Sequence, residues 1–297
     1  TLMSFILPVN KSSYSEEERR IDEATDVYYR SPIREMQHEY SSEQEDDQKP
    51  SLLIIDDDTD VAHYLKTLFS SKYKVVVKFD AESAFKALEE VLPDLIISDV
   101  VMPGMDGYQF CKLVKENLSY SHIPVILLTA KATVDNQVEG LNCGANAYVV
   151  KPFEPQYLLA LVKSQLLNRE QMRNILSSST QTEKIDENVL SPQDNAFMTS
   201  LYQLMESELS NSELNIARLT ESLKISRTKF YYKVKGLTGE NPNVFFKTYK
   251  LNRAAELILE GKYNTSEIAD MTGFSTLSHF SVSFKKQFGI SPSKYKR

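Results

Sequence analysis

The chain has 297 residues, 41% hydrophobic and 25% charged, which at roughly 100–200 residues per domain suggests two globular domains and excludes a largely disordered chain. No apolar run approaches the roughly 18 residues a membrane helix needs, so this stretch does not itself span a bilayer. The net charge of −7 hides an asymmetry: residues 214–297 carry 15 basic and 6 acidic side chains, net +9, while everything before them is acidic, the pattern expected if only that end meets nucleic acid.

In chain order, residues 1–10, TLMSFILPVN, read as one short strand that stops at a proline. A lone strand is not stable in water, so it is expected to belong to something upstream. The opening at Thr1, with no basic-then-apolar leader, predicts no secretory signal. Residues 11–50 are rich in Ser, Glu, Asp and Gln without a sustained apolar period and read as a linker.

From Ser51 the pattern changes. Apolar runs at 52–55, 75–77, 95–97, 125–128 and 148–150 recur at intervals of about 20–30 residues, each short and β-branched, as strands buried on both faces are. Between them, helical spacing covers 59–71, 81–90, 106–116, 133–142 and 154–167. Strands alternating with helices predict an α/β doubly wound, five-stranded parallel sheet over residues 51–169, with its site beyond the carboxyl ends of the strands. Cys111 and Cys143, the only cysteines, both fall in periodic apolar segments; they are too few for a disulfide framework or a cysteine zinc site and fit a reducing compartment.

The polar residues that end these runs are unusual. The first strand runs into Asp56, Asp57 and Asp58, the third into Asp99, the fourth into Thr129 and the fifth into Lys151. Clustered carboxylates repel one another unless a cation lies between them, and hard oxygen ligands suit Mg²⁺. A lysine opposite can hold an incoming anion as a point charge. Asp56–Asp58 could instead simply cap the following helix, Asp58 before the others. IIDDDTDV, PDLIISDVVMPGMDGYQF, VILLTA and GANAYVVKPF resemble, in order and spacing, the signatures of the two-component receiver domain, a flavodoxin-like fold. The resemblance implies Asp99 as phosphoacceptor and Asp56, Asp57, Asp99 and the Val101 backbone carbonyl as the Mg²⁺ site. It implies Lys151 and Thr129 as partners of the phosphoryl oxygens, and Tyr148 as the aromatic that turns inward with Thr129. Such a domain accepts phosphate and loses it slowly, without a turnover substrate.

Residues 170–190 are polar again and read as a second linker, after which strands disappear. Helical periods occupy about 194–208, 215–222, 226–236, 242–260, 265–271 and 276–288 of an all-α stretch, 191–297. Two helix–turn–helix units joined by a long helix resemble the DNA-binding domain of the AraC family, and FKKQFGISPSKYK resembles its terminal signature. The first recognition helix would present Arg227, Thr228, Lys229, Tyr232 and Lys233 to DNA, and the second Ser275, Thr276, Ser278, His279 and Ser283. Phe230, Tyr231, Phe245, Phe246, Ile268, Phe274, Phe280, Phe284 and Phe288 read as core. His38, His63 and His122 read as ordinary linker, helix and loop residues.

These readings predict a phosphorylation-controlled, DNA-binding transcription regulator. TLMSFILPV resembles the last strand of a histidine-kinase ATPase domain, so the chain is expected to be the C-terminal part of a hybrid sensor kinase, itself a phosphoacceptor rather than an enzyme; a free-standing AraC-type response regulator is the alternative. The implied partners are double-stranded promoter repeats, a histidine kinase domain of the same polypeptide as phosphodonor, a second copy on activation, and RNA polymerase, all in the cytoplasm or on the cytoplasmic side of an inner-membrane sensor. Because the second linker lacks apolar surface for a large interface, the receiver is expected to act by pairing copies rather than by gripping its own DNA-binding domain.

Overall fold

The five apolar runs fold as strands because short stretches rich in β-branched residues pack well in a parallel sheet covered by helices on its faces. A computed structural model describes residues 49–90, 92–130, 142–179, 190–212 and 214–295. In it β1 (Ser51–Ile55), β2 (Lys74–Lys78), β3 (Leu95–Asp99), β4 (Val125–Thr129) and β5 (Ala147–Val150) form one sheet in the order β2-β1-β3-β4-β5. Every pairing is parallel, with Leu52 beside Leu95 and Ile96 beside Val125. The period of two divides the strands cleanly. Leu52, Ile54, Leu95, Ile97, Ile126 and Leu128 pack on one face with Leu65, Phe69, Leu158 and Val162, and Leu53, Ile55, Ile96, Val125 and Leu127 on the other with Ala84, Leu88, Phe110 and Val114.

The helices on these faces are α1 (Thr59–Ser70), α2 (Ala81–Glu90), α3 (Gly107–Glu116) and α4 (Pro155–Ser178). The strand expected at 1–10, His38 and nearly all of the linker 11–50 lie outside the described residues, as does all but the last residue of the helix expected over 133–142. The largest departure is α4. It runs on to Ser178, through the first half of the stretch 170–190 read as a linker. Met172 and Leu176 continue the apolar stripe begun by Leu158 and Val162, so the helix has something to bury to its end.

Beyond it lie α5 (Pro192–Ser207), α6 (Ile216–Ser222), α7 (Arg227–Thr238), α8 (Pro242–Glu260), α9 (Thr265–Met271) and α10 (Leu277–Phe288), followed by a 3₁₀ turn at Pro292–Lys294. Side-chain caps start each helix from α5 to α10: Ser226 Oγ, for example, accepts from the Lys229 N–H and Thr276 Oγ1 from the His279 N–H. The long α8 joins two small cores. Its first half (Phe245, Phe246, Tyr249) packs with α5, α6 and α7, and its second (Leu251, Ala254, Leu257) with Ile268, Phe280 and Phe284. All described residues belong to one compact unit, Lys49–Arg297.

Candidate functional site

Parallel strands that stop at the same edge bring their terminal residues together although up to about a hundred residues separate them in sequence. Asp56, Asp57 and Asp99 place one carboxylate oxygen each within 4.8 Å of one another. Lys151 Nζ lies 2.7 Å from Asp56 Oδ2 and 3.2 Å from Asp99 Oδ1. Asp99 Oδ1 also accepts the Val100 N–H at 2.9 Å, which fixes the carboxylate's orientation. Asp56 is fully buried and Asp99 nearly so, while Asp57 faces solvent. Burial raises the Asp56 pKa above the ordinary carboxylate value even with Lys151 beside it. For Lys151, burial alone would lower the pKa, but the contacts with Asp56 and Asp99 outweigh it and leave the ammonium more firmly protonated than usual.

Three carboxylates against one ammonium leave a local excess of negative charge, and their hard oxygens are the donors Mg²⁺ prefers. Asp56, Asp57 and Asp99 therefore fit the expected metal; Val101, two residues past Asp99, is 54% exposed. Thr129 is fully buried at the end of β4, and its carbonyl accepts the Lys151 N–H at 2.6 Å, tying the two strand ends together. Tyr148 is half-buried, its hydroxyl 3.3 Å from that of Tyr108. Asp58 has the bland role: it caps α1, accepting the Asp60 and Val61 N–H groups.

At the other end of the chain the two turns have the same shape. Lys224, between α6 and α7, has φ 54°, and Gly273, between α9 and α10, has φ 64°. In α7, Arg227, Thr228 and Lys229 are exposed and Tyr232 is half-buried. Lys233 corrects the expectation: it is 0% exposed, its ammonium paired with Asp194 and bonded to Ser121 Oγ at 2.6 Å, so it does not face DNA. Around α10, Ser275, Thr276, Ser278 and His279 are exposed, with the His279 ring 5.6 Å from Phe274. Ser283 is a second correction, buried at 4% on the side of Phe280 and Phe284. Tyr231 is only half-buried rather than core, and Lys235 lies over its ring at 5.7 Å. Phe288 is likewise half-buried at the margin of its cluster.

Sequence reasoning missed Leu277 and Val282, respectively 45% and 68% exposed on α10. Helical spacing from Ser278 to Val282 and Lys285 would have found that outward face. It also missed His122, whose two ring nitrogens are both shut off from solvent. Burial first, then Arg169, Lys233, Arg173 and Lys115 around it, hold the imidazole well below its ordinary pKa.

Residues 52–163 match the response regulator receiver domain family and residues 219–297 a helix-turn-helix domain family. The chain is 32% identical over 248 residues to histidine kinase P4 of Formosa agariphila, a match covering 84% of this chain and 18% of that protein. It is 33% identical over 137 residues to response regulator Rre1 of Synechocystis, covering 46% of this chain and 59% of Rre1. The chain thus spans less than two thirds of either relative. Among solved structures, the receiver domain of a signal transduction histidine kinase from Syntrophus aciditrophicus is 36% identical, covering 39% of this chain and 89% of that one, with a TM-score of 0.38.

Proposed function

The chain belongs to the response-regulator receiver family, with a helix-turn-helix domain appended, and on that premise we propose that it is a phosphorylation-dependent, sequence-specific transcription regulator of AraC type. The observation that carries this reading is the gathering of Asp56, Asp57, Asp99, Thr129 and Lys151 at one sheet edge in a chain that also holds paired helix-turn-helix units. An oxygen of the Asp99 carboxylate attacks the phosphorus of a phosphohistidine or small acyl phosphate. The bond to the donor's leaving group breaks, and an aspartyl phosphate forms. Lys151 draws the charge of the transferring phosphoryl oxygens, and Thr129 hydrogen-bonds to them afterwards. Mg²⁺ bound by Asp56, Asp57, Asp99 and the Val101 carbonyl would neutralise charge that the carboxylates otherwise concentrate.

The phosphodonor is a histidine kinase domain, and similarity to histidine kinase P4 across both domains favours a kinase in the same polypeptide over a free-standing regulator. TLMSFILPV, the segment that suggested such a kinase, lies outside the described residues. Arg227, Thr228, Lys229, Tyr232, Ser275, Thr276, Ser278 and His279 would meet promoter DNA, a role that requires a cytoplasmic location. No described helix is long and apolar enough to cross a membrane. A second copy on activation and RNA polymerase are the further partners this reading expects. Asp99→Asn keeps the shape but loses the nucleophile, so it should take no phosphate from acetyl phosphate and Mg²⁺. Mass spectrometry checks this, and an undiminished adduct would refute the assignment. DNA footprinting of both forms, with and without the donor, then tests whether the phosphate governs binding.

A further inference from the structure

The amino end of the sheet, opposite Asp99, is not free. Arg169 of α4 donates to the Pro93 carbonyl at 3.2 Å and to the Asp94 carbonyl, just before β3. One turn on, Arg173 bonds Asp94 Oδ1 at 3.1 Å and reaches the Gly236 carbonyl of α7 at 3.3 Å. Ser121, between α3 and β4, donates to Asp194 Oδ1 at 2.7 Å while accepting from Lys233. Leu118 from the same segment, with Met172 and Leu176 of α4, packs into the core built by Phe197, Leu201, Phe230 and Val234. The Tyr202 hydroxyl donates to the Leu176 carbonyl at 2.6 Å. The expectation that the two domains would not grip each other is therefore corrected: α4 supplies the apolar surface that the stretch 170–190 was expected to lack.

Two residues of α7 meet the receiver directly. A lysine buried to 0% is costly unless paired, and Lys233 finds its partners in Asp194 and the receiver's Ser121. A glycine in a helix interior is unfavourable, yet a Cβ at Gly236 would lie 1.9 Å from His122 Nε2, and the three nearest atoms all belong to the His122 ring. Inside its own domain nothing lies so close to that position. Arg227, Thr228 and Lys229 stay exposed, so α7 is held from behind with its outward face open.

We propose that the amino-end face of the receiver is a docking surface for the first helix-turn-helix of the same chain, and that α4, starting four residues after Lys151 and ending in the DNA-binding core, carries the state of Asp99 to α7 through it. The proposal rests on the reading of Asp99 as phosphoacceptor. It differs from control by pairing alone, because the signal runs inside one chain.

The test uses the whole chain with Gly236→Leu, which suits a helix but collides with His122, and with Gly236→Leu combined with His122→Ala, which removes the obstacle. Small-angle scattering should show a larger maximum dimension for the single variant and the parent dimension for the double. Beryllofluoride should raise the DNA affinity of the parent by about tenfold, within the range of ordinary allosteric coupling. The single variant should lose that gain while keeping its unstimulated affinity within about twofold, and the double should recover it. A single variant that stays closed, or opens and keeps the full gain, overturns the proposal. A parent that ignores beryllofluoride would sink phosphate control itself, and the scattering would still decide whether the domains dock.

Discussion

At the carboxyl edge of the sheet three carboxylates surround one lysine, whereas at the amino end Asp94 and Asp194 are met by Arg169, Arg173 and Lys233, each with a carboxylate or carbonyl partner. Both ends bury charge. The difference lies in the balance. An excess of negative charge is an unfinished site, which a divalent cation and a phosphoryl group would complete; at the joint three cations face two carboxylates, and carbonyl oxygens of Pro93, Asp94 and Gly236 take up further N–H groups of the two arginines once both domains are in place. Buried charge alone therefore does not mark a reactive centre, but clustered like charges short of partners do.

Removing a carboxylate at each end should sharpen this contrast. Asp57→Ala should abolish phosphate uptake and the rise in melting temperature that Mg²⁺ gives the parent, since ligand binding to the folded state alone stabilises it. Its melting temperature without Mg²⁺ should be unchanged or higher, because one of three mutually repelling groups is gone. Phosphoprotein mass spectrometry and thermal melts with and without Mg²⁺ check both halves, and a clear fall in stability would break the comparison.

Asp194→Ala at the other end should do the reverse. It strands the Lys233 ammonium in a buried site, which typically costs about 3–5 kcal/mol. Urea unfolding should show that loss while the rate of phosphorylation at Asp99 barely changes. A loss below about 1 kcal/mol, the size of an exposed pair, would mean the joint is wetter than its geometry indicates.

The smallest effect expected is on pH. His122 is held neutral in the docked state, its pKa below the ordinary 6.5, with Arg169, Lys233, Arg173 and Lys115 all facing it. The undocked imidazole binds a proton more readily, so docking is at full strength above pH 6.5 and weakens as pH falls below it. The slope is at most about 1.4 kcal/mol per pH unit. Scattering profiles between pH 7.5 and 5.5 should show the domains separating on the acid side in the parent and not in His122→Ala. An identical profile for both would remove His122 from the joint.

The receiver end was legible because its signals are local. Four of the five apolar runs end at a residue of the candidate site, so Asp56, Asp57, Asp99, Thr129 and Lys151 could be placed on one edge from strand alternation alone, and the strands appear within one or two residues of their expected bounds. The recognition helices were legible as elements but not face by face. Lys233 and Ser283 looked available by residue type, and only the packing of Phe230 and Val234, or of Phe280 and Phe284, shows which side each turn buries. The extension of α4 had a signal that was easy to pass over: Leu158, Val162, Met172 and Leu176 keep helical spacing, but Arg169 interrupts the stripe where a hydrophobe would be expected.

Sequence by itself determined the two domain types, the order of their elements, and the acidic edge with its lysine, because each depends on periodicity and on what immediately follows a buried run. Tertiary structure decided the joint. Asp94, Ser121, His122, Arg173, Asp194, Lys233 and Gly236 belong to segments far apart in the chain, and no one of them departs from what a surface turn or helix commonly carries. Their meaning lies in mutual distance: an ammonium is tolerable in a dry interior only where a carboxylate from another helix meets it, and a glycine is needed only where a ring from another domain lies against the backbone.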